Sequence, residues 1–159
     1  MEKIRKKIDI IILSICVILF MFMTCVGTYQ ITARYVFKSP STVSEELISY
    51  SFAWMSMFAA SYVFGKRDHM RMVFFIEKFS QINQIRIAIL SEIMVFLFSF
   101  FVLTWGGETI TSLTMTQMSP ALKISMGYVY LVLPTCGIIT MIYSVLNICD
   151  LLKKFKEVE

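Results

Sequence analysis

The chain has 159 residues, 57% hydrophobic and only 16% charged, with a mean hydropathy of +0.72 and a formal net charge of +4. A water-soluble domain of this length cannot cover its surface with so few charges, which excludes a soluble enzyme. The apolar residues fall in four blocks, Ile8–Thr28, Leu47–Phe64, Ile85–Trp105 and Tyr128–Leu146. Each has about the 17–25 residues that a membrane-spanning helix needs. Little chain remains between them. The expectation is an all-α integral membrane protein, a single membrane domain over residues 1–159 with four transmembrane helices.

The first span is expected at about residues 8–34, after a basic start at Lys3, Arg5, Lys6 and Lys7. Its apolar run exceeds the ~7–15 residues of a signal-peptide core, and no small-residue cleavage site follows, so it reads as a retained anchor. Its second half turns polar at Thr24, Gly27, Thr28, Gln30 and Thr32. Gly and Thr favour helix–helix contact in a bilayer, so this half is expected to face protein. Arg34 closes the span, placed to snorkel to headgroups or to meet an acid.

The second span is expected at about residues 43–64. Thr42-x-x-Glu45 fits a capping box, with Thr42 as N-cap. Glu45 and Glu46 then lie in the first turn, where the helix dipole favours anions. They also form a polar rim with Arg34, able to pair with it or with a partner's cation. At about 100° per residue, Ser49, Ala53, Ser56 and Ala60 share one narrow face, a small-residue packing stripe.

A charged loop follows, with His69 as the one histidine of the chain. Haem ligation by two histidines or a histidine-based metal cluster is therefore not available within the chain. Residues of about 72–84 repeat Met72, Phe75, Ile76, Phe79 and Ile82 at helical spacing, a short amphipathic helix for the membrane interface.

The third span, about residues 85–113, carries Glu92 roughly two turns inside the apolar run. A carboxylate there must face a neighbouring helix or a wet crevice. A structural hydrogen bond or snorkelling accounts for it, and ion coupling is the other reading. The fourth span, about residues 125–149, contains Pro134 and Gly137, so a local kink is expected. No pair of interrupted helices and no internal repeat is evident, whereas transporters build midplane sites from both.

Charge placement sets the topology. Four cations precede the first span, Lys66, Arg67, Arg71, Lys78 and Arg86 lie between the second and third, and Lys153, Lys154 and Lys156 follow the fourth. Only Arg34, Lys38 and Lys123 fall on the other side, which puts both termini in the cytoplasm by the positive-inside rule. The net charge thus reflects topology, and no nucleic-acid partner is expected. Cys16, Cys25 and Cys136 lie in apolar spans and Cys149 near the end of the fourth, with no CxxC or metal-ligand spacing.

The ordered set Arg34-Tyr35-Val36-Phe37, Ser44-Glu45-Glu46-Leu47, Phe52-Ala53-Trp54, Ala59-Ala60 and His69 resembles the small membrane subunit (DctQ-type) of tripartite ATP-independent periplasmic, or TRAP, transporters. Ser119-Pro120-Ala121-Leu122, Ile124-Ser125, Tyr130 and Pro134 extend the likeness over nearly the whole chain. The resemblance implies a subunit, not an enzyme, of the bacterial inner membrane that binds no cofactor and contacts membrane lipids. Its partners would be a large TRAP permease subunit, which it scaffolds, and a periplasmic solute-binding protein, which it helps dock. The transport so served would be sodium-gradient-driven uptake of an organic-acid solute such as sialic acid or a dicarboxylate. Two rival classes fit less well. A four-span quinone-linked disulfide oxidoreductase needs cysteine pairs near one face, and a small drug exporter needs a carboxylate deeper than Glu92.

Overall fold

The structure, a computed structural model, describes residues 2–39, 41–66 and 81–158. Four helices among them are long and apolar enough to cross a membrane. They are α1 (Glu2–Tyr35), α2 (Thr42–Lys66), α3 (Gln81–Thr114) and α4, which comprises Met126–Tyr130 and Val132–Val158. His69, and the amphipathic segment expected over 72–84 as far as residue 80, lie outside the described residues; residues 81–84 form the start of α3.

The helices run past the apolar blocks at their polar ends. α1 takes in the basic N-terminal segment, where Arg5 donates to Asp150 at 2.9 Å and to the Asn147 carboxamide oxygen at 2.7 Å. α3 continues through the threonine-rich stretch. There Thr109, Thr111 and Thr114 donate their hydroxyls to the carbonyls of Trp105, Gly107 and Ile110. Bonding back to the fourth preceding carbonyl satisfies each hydroxyl inside the helix, so β-branched polar residues extend it without needing water.

α1 packs along α2, α2 along α4, and α4 along α3. Among the described residues the buried apolar set is small: Ile12, Phe58, Val132, Cys136 and Tyr143 form one cluster, and Ala33 and Leu151 are buried outside it. The rest of the interior is polar, with Asp9, Ser61, Glu92, Thr140, Ser144 and Asn147 all buried. Large apolar side chains of every helix face outward. This is the distribution a lipid solvent permits, since apolar groups gain nothing by leaving hydrocarbon and polar groups must find partners inside.

Glycines set the closest approaches. A Cβ at Gly65 would stand 2.6 Å from the Tyr143 ring, one at Gly107 2.9 Å from Leu133, and one at Gly137 2.5 Å from the Thr104 hydroxyl. These contacts bring α4 onto α2 and α3. The Gly107 and Gly137 contacts also join two irregular segments. Residues Ser99–Gly106 of α3 form a π-helical stretch, in which Thr104 Oγ1 donates to the Ser99 carbonyl. α4 is interrupted at Leu131, just before Pro134, whose missing N–H leaves the Tyr130 carbonyl without its helical donor. So α3 and α4 each carry one irregular segment: the break in α4 is the kink expected from Pro134, while the π-helical stretch of α3 gave no signal in the sequence. They meet face to face, and Gly107 sits so close to Pro134 that no side chain fits between them.

Candidate functional site

The polar rim expected from Arg34, Glu45 and Glu46 divides in two. Arg34 Nη2 donates to Glu45 Oε1 at 2.8 Å, joined by Gln30 Nε2 at 3.2 Å. That pair is about half exposed on both sides (51% and 49%), so it is a surface ion pair. Glu46 turns the other way. Its Oε1 accepts the Ala121 N–H and its Oε2 the Leu122 N–H, each at 2.9 Å. One carboxylate thus holds the α3–α4 connection against the first turn of α2, with both oxygens used.

That connection is itself well ordered by hydrogen bonds. Ser119 N–H donates to the Ile124 carbonyl, Met126 N–H to the Gln117 carbonyl, and Ser125 Oγ to the Met115 carbonyl. Lys123 sits at φ 52° to close the turn. A cleft of about 470 Å³ lies between α2 and this loop, lined by Glu45, Glu46, Ser49, Tyr50 and Pro120. The cap of α2 differs from the capping box expected on Thr42. The Ser44 N–H donates to Ser41 Oγ at 3.4 Å, so Ser41 is the capping side chain, one residue earlier. Glu45 is drawn instead to the cation of α1.

Of the stripe, Ser49, Ser56 and Ala60 are exposed and Ala53 is half-buried, so it is not the face that α2 packs on the other described helices, although Ser49 lines the cleft beside the α3–α4 loop. α2 presents other faces to its neighbours: Ile48 toward Gly27 of α1, and Trp54, whose Nε1–H donates to the Val129 carbonyl at 3.0 Å, toward α4. Thr24, Thr28 and Thr32 of α1, expected to pack on protein, are likewise exposed and donate to their own helix carbonyls.

At the opposite end lies a network that sequence reading did not assemble. Asp9 Oδ1 accepts from the Tyr143 hydroxyl at 2.6 Å, and its Oδ2 from Lys66 Nζ at 2.7 Å. Asn147, fully buried, accepts from Arg5 and donates to Glu92 Oε1 at 3.1 Å. Glu92 therefore faces α4, where Ser144 also donates to its backbone carbonyl at 2.7 Å. All four helices are tied here through charged or amide groups. The available signal was Thr140, Tyr143, Ser144 and Asn147, polar-tipped residues at helical spacing within a mostly apolar stretch.

Chemically these are fastenings. Each described carboxylate in both clusters has a hydrogen-bonding partner, and among the described residues no three His, Cys, Asp or Glu converge as metal ligands would. Residues 23–154 match the family described as tripartite ATP-independent periplasmic transporters, DctQ component. The chain belongs to the DctQ family. It is 25% identical over 155 residues, 98% of this chain and 92% of the relative, to a protein of Haemophilus influenzae named as a TRAP transporter small permease protein. A second protein of that organism with the same name is 20% identical over 136 residues, 86% of this chain and 81% of the relative. This DctQ chain is thus a small permease component of a transporter family, and its four apolar helices make it a multi-pass membrane protein.

Proposed function

We propose that this DctQ subunit is a scaffold: it holds the large permease subunit in place and helps dock a periplasmic solute-binding protein, while the permease carries the solute. In this reading the chain is one membrane domain of the inner membrane with both termini in the cytoplasm. The connection between α2 and α3, which holds His69, is on the cytoplasmic side. Uptake is driven by a sodium gradient, and the solute is an organic acid.

The observation that carries this reading is the uncovered stripe of α2. Ser49, Ser56 and Ala60 are exposed, while the close approaches inside the bundle are made by glycines elsewhere. Small residues on a lipid-exposed helix face suit a second helix, because association in a bilayer depends on backbone approach. The large permease subunit is the partner assigned to that face. Arg34, Glu45 and the Glu46-held loop form the periplasmic edge. Glu92 and Pro134 have internal roles, a hydrogen bond to α4 and the break in that helix. Support for an accessory part also comes from the two irregular segments, which close on each other.

The test is Ala60→Trp in the intact transporter. The expected result is loss of most co-purifying large subunit and of uptake, with the isolated variant still helical. Unchanged complex and uptake overturn the role of the stripe. Vesicles holding this chain alone should not accumulate solute on a sodium gradient; accumulation there ends the scaffold reading.

A further inference from the structure

α1 begins and α4 finishes at the same end of the bundle, and hydrogen bonds clamp them together there. Arg5 of α1 donates to Asn147 and Asp150 of α4 at 2.7 and 2.9 Å, and one turn deeper Tyr143 donates to Asp9 at 2.6 Å. The aspartates of these two helix ends are thereby occupied, Asp150 by Arg5 and Asp9 by Lys66 and Tyr143. The lysines around the clamp stay open. Lys3, Lys6 and Lys7 of α1 and Lys153, Lys154 and Lys156 of α4 are all exposed, and none forms an ion pair among the described residues. Glu2 and Glu157 occupy the outermost positions of the two helices, beyond these lysines.

Residues three or four apart share one side of a helix. On α1 the exposed Ile11 is followed toward the helix start by Lys7 and Lys3. On α4 the exposed Val145 leads through Cys149 to Lys153 and Lys156. On both helices an apolar side chain open to lipid gives way to lysine within two turns, which is the profile of the boundary between acyl chains and headgroups. A lysine near an anionic membrane surface is worth roughly fivefold in binding. A free anion would use the charge and leave the apolar side chains idle, and a zwitterionic lipid would do the reverse. A lipid with a net negative headgroup uses both.

We propose that the clamped ends of α1 and α4 bind an anionic phospholipid, its headgroup shared by Lys3 and Lys7 on one side and Lys153 and Lys156 on the other, with acyl chains along Ile11 and Val145. The positive-inside rule asks only for cations on one side of the membrane; it does not ask for two helix ends fastened so that their lysines meet. Placement in the cytoplasmic leaflet rests on the orientation proposed above, whereas the binding itself does not.

The experiment is native mass spectrometry of the full-length chain in detergent, with phosphatidylglycerol or phosphatidylcholine of the same acyl chains added. Phosphatidylglycerol should be retained at least several-fold better, and added salt should erode that preference. Lys3→Gln with Lys7→Gln, and separately Lys153→Gln with Lys156→Gln, should each abolish most of the preference, and all four together little more, because one headgroup is gripped from both helices. Lys38→Gln with Lys123→Gln, at the opposite end, should leave it intact. Circular dichroism checks that each variant keeps its helices, and the matching Lys→Arg variants, which keep the charge, should keep the preference. Equal retention of the two lipids overturns the proposal, as does displacement by inorganic phosphate. Pair variants that each remove only half of the preference also overturn it, since that is the pattern of two separate attractions. Termini mapped to the periplasm would overturn the orientation and the leaflet, and the lipid preference of the isolated chain would stand.

Discussion

Gly65→Ala sets two rules against each other. In a helix interior, Gly to Ala is favourable by about 0.8–1 kcal/mol. At Gly65, however, the added Cβ would lie 2.6 Å from Tyr143 Cδ1 and 2.7 Å from both Cγ and Cε1. Ordinary carbon contacts are about 3.5–4.0 Å, so the ring must retreat by about 1 Å. Tyr143 is 1% exposed and its hydroxyl donates to Asp9 at 2.6 Å, so it has no open space to enter. Overpacking costs about 1–3 kcal/mol and loss of a hydrogen bond to a charged group about 1.5–3, which leaves a net destabilisation of about 1.5–5 kcal/mol after the helix gain. The assay is unfolding in mixed detergent–SDS micelles followed by circular dichroism. A double-mutant cycle identifies the cause: Tyr143→Phe should be costly in the parent and nearly neutral in Gly65→Ala, where the bond is already gone. A Gly65→Ala chain as stable as the parent, or more so, refutes the packing argument.

Asp9→Asn should be destabilising by about 1.5–3 kcal/mol, because it weakens the bonds from Lys66 and Tyr143 to a carboxylate only 10% exposed, while the stranded Lys66 ammonium, 36% exposed, still reaches water. Replacing Lys66 by Met in the same chain should recover part of that loss in the same micelle assay. The half-exposed Arg34–Glu45 pair should show a coupling of only about 0.2–1 kcal/mol in a double-alanine cycle, fading at high salt. Glu46→Ala should speed hydrogen exchange at the Ala121 and Leu122 amides, measured by mass spectrometry, whereas Glu45→Ala should leave them protected.

What the sequence made legible follows from what bilayer thickness demands. Four apolar runs of spanning length, bounded by Lys and Arg, have few alternatives to four helices. The same lipid hides the rest. In water, burial shows as an apolar stripe with a polar reverse; here the buried line of α4 runs Cys136, Thr140, Tyr143, Asn147, with Ile138, Ile142 and Val145 outside. Reading that helix by hydrophobicity alone would turn it inside out, which is why the network around Asp9 and Asn147 went unseen while its members were in plain view. Glu45 and Glu46 show a second limit. Adjacent residues on a helix point about 100° apart, so two carboxylates that read as one rim serve α1 and the α3–α4 loop separately, and only the neighbours' positions decide which goes where. The small residues show a third. Ser49, Ala53, Ser56 and Ala60 form the more regular stripe, yet the intrachain approaches fall to Gly65, Gly107 and Gly137, each placed against one particular ring or turn. A regular stripe fits a straight, long contact, and the described residues of this chain supply none on that face. That mismatch between a regular surface and the irregular contacts of its own bundle is the physical argument for assigning the stripe to another subunit's helix.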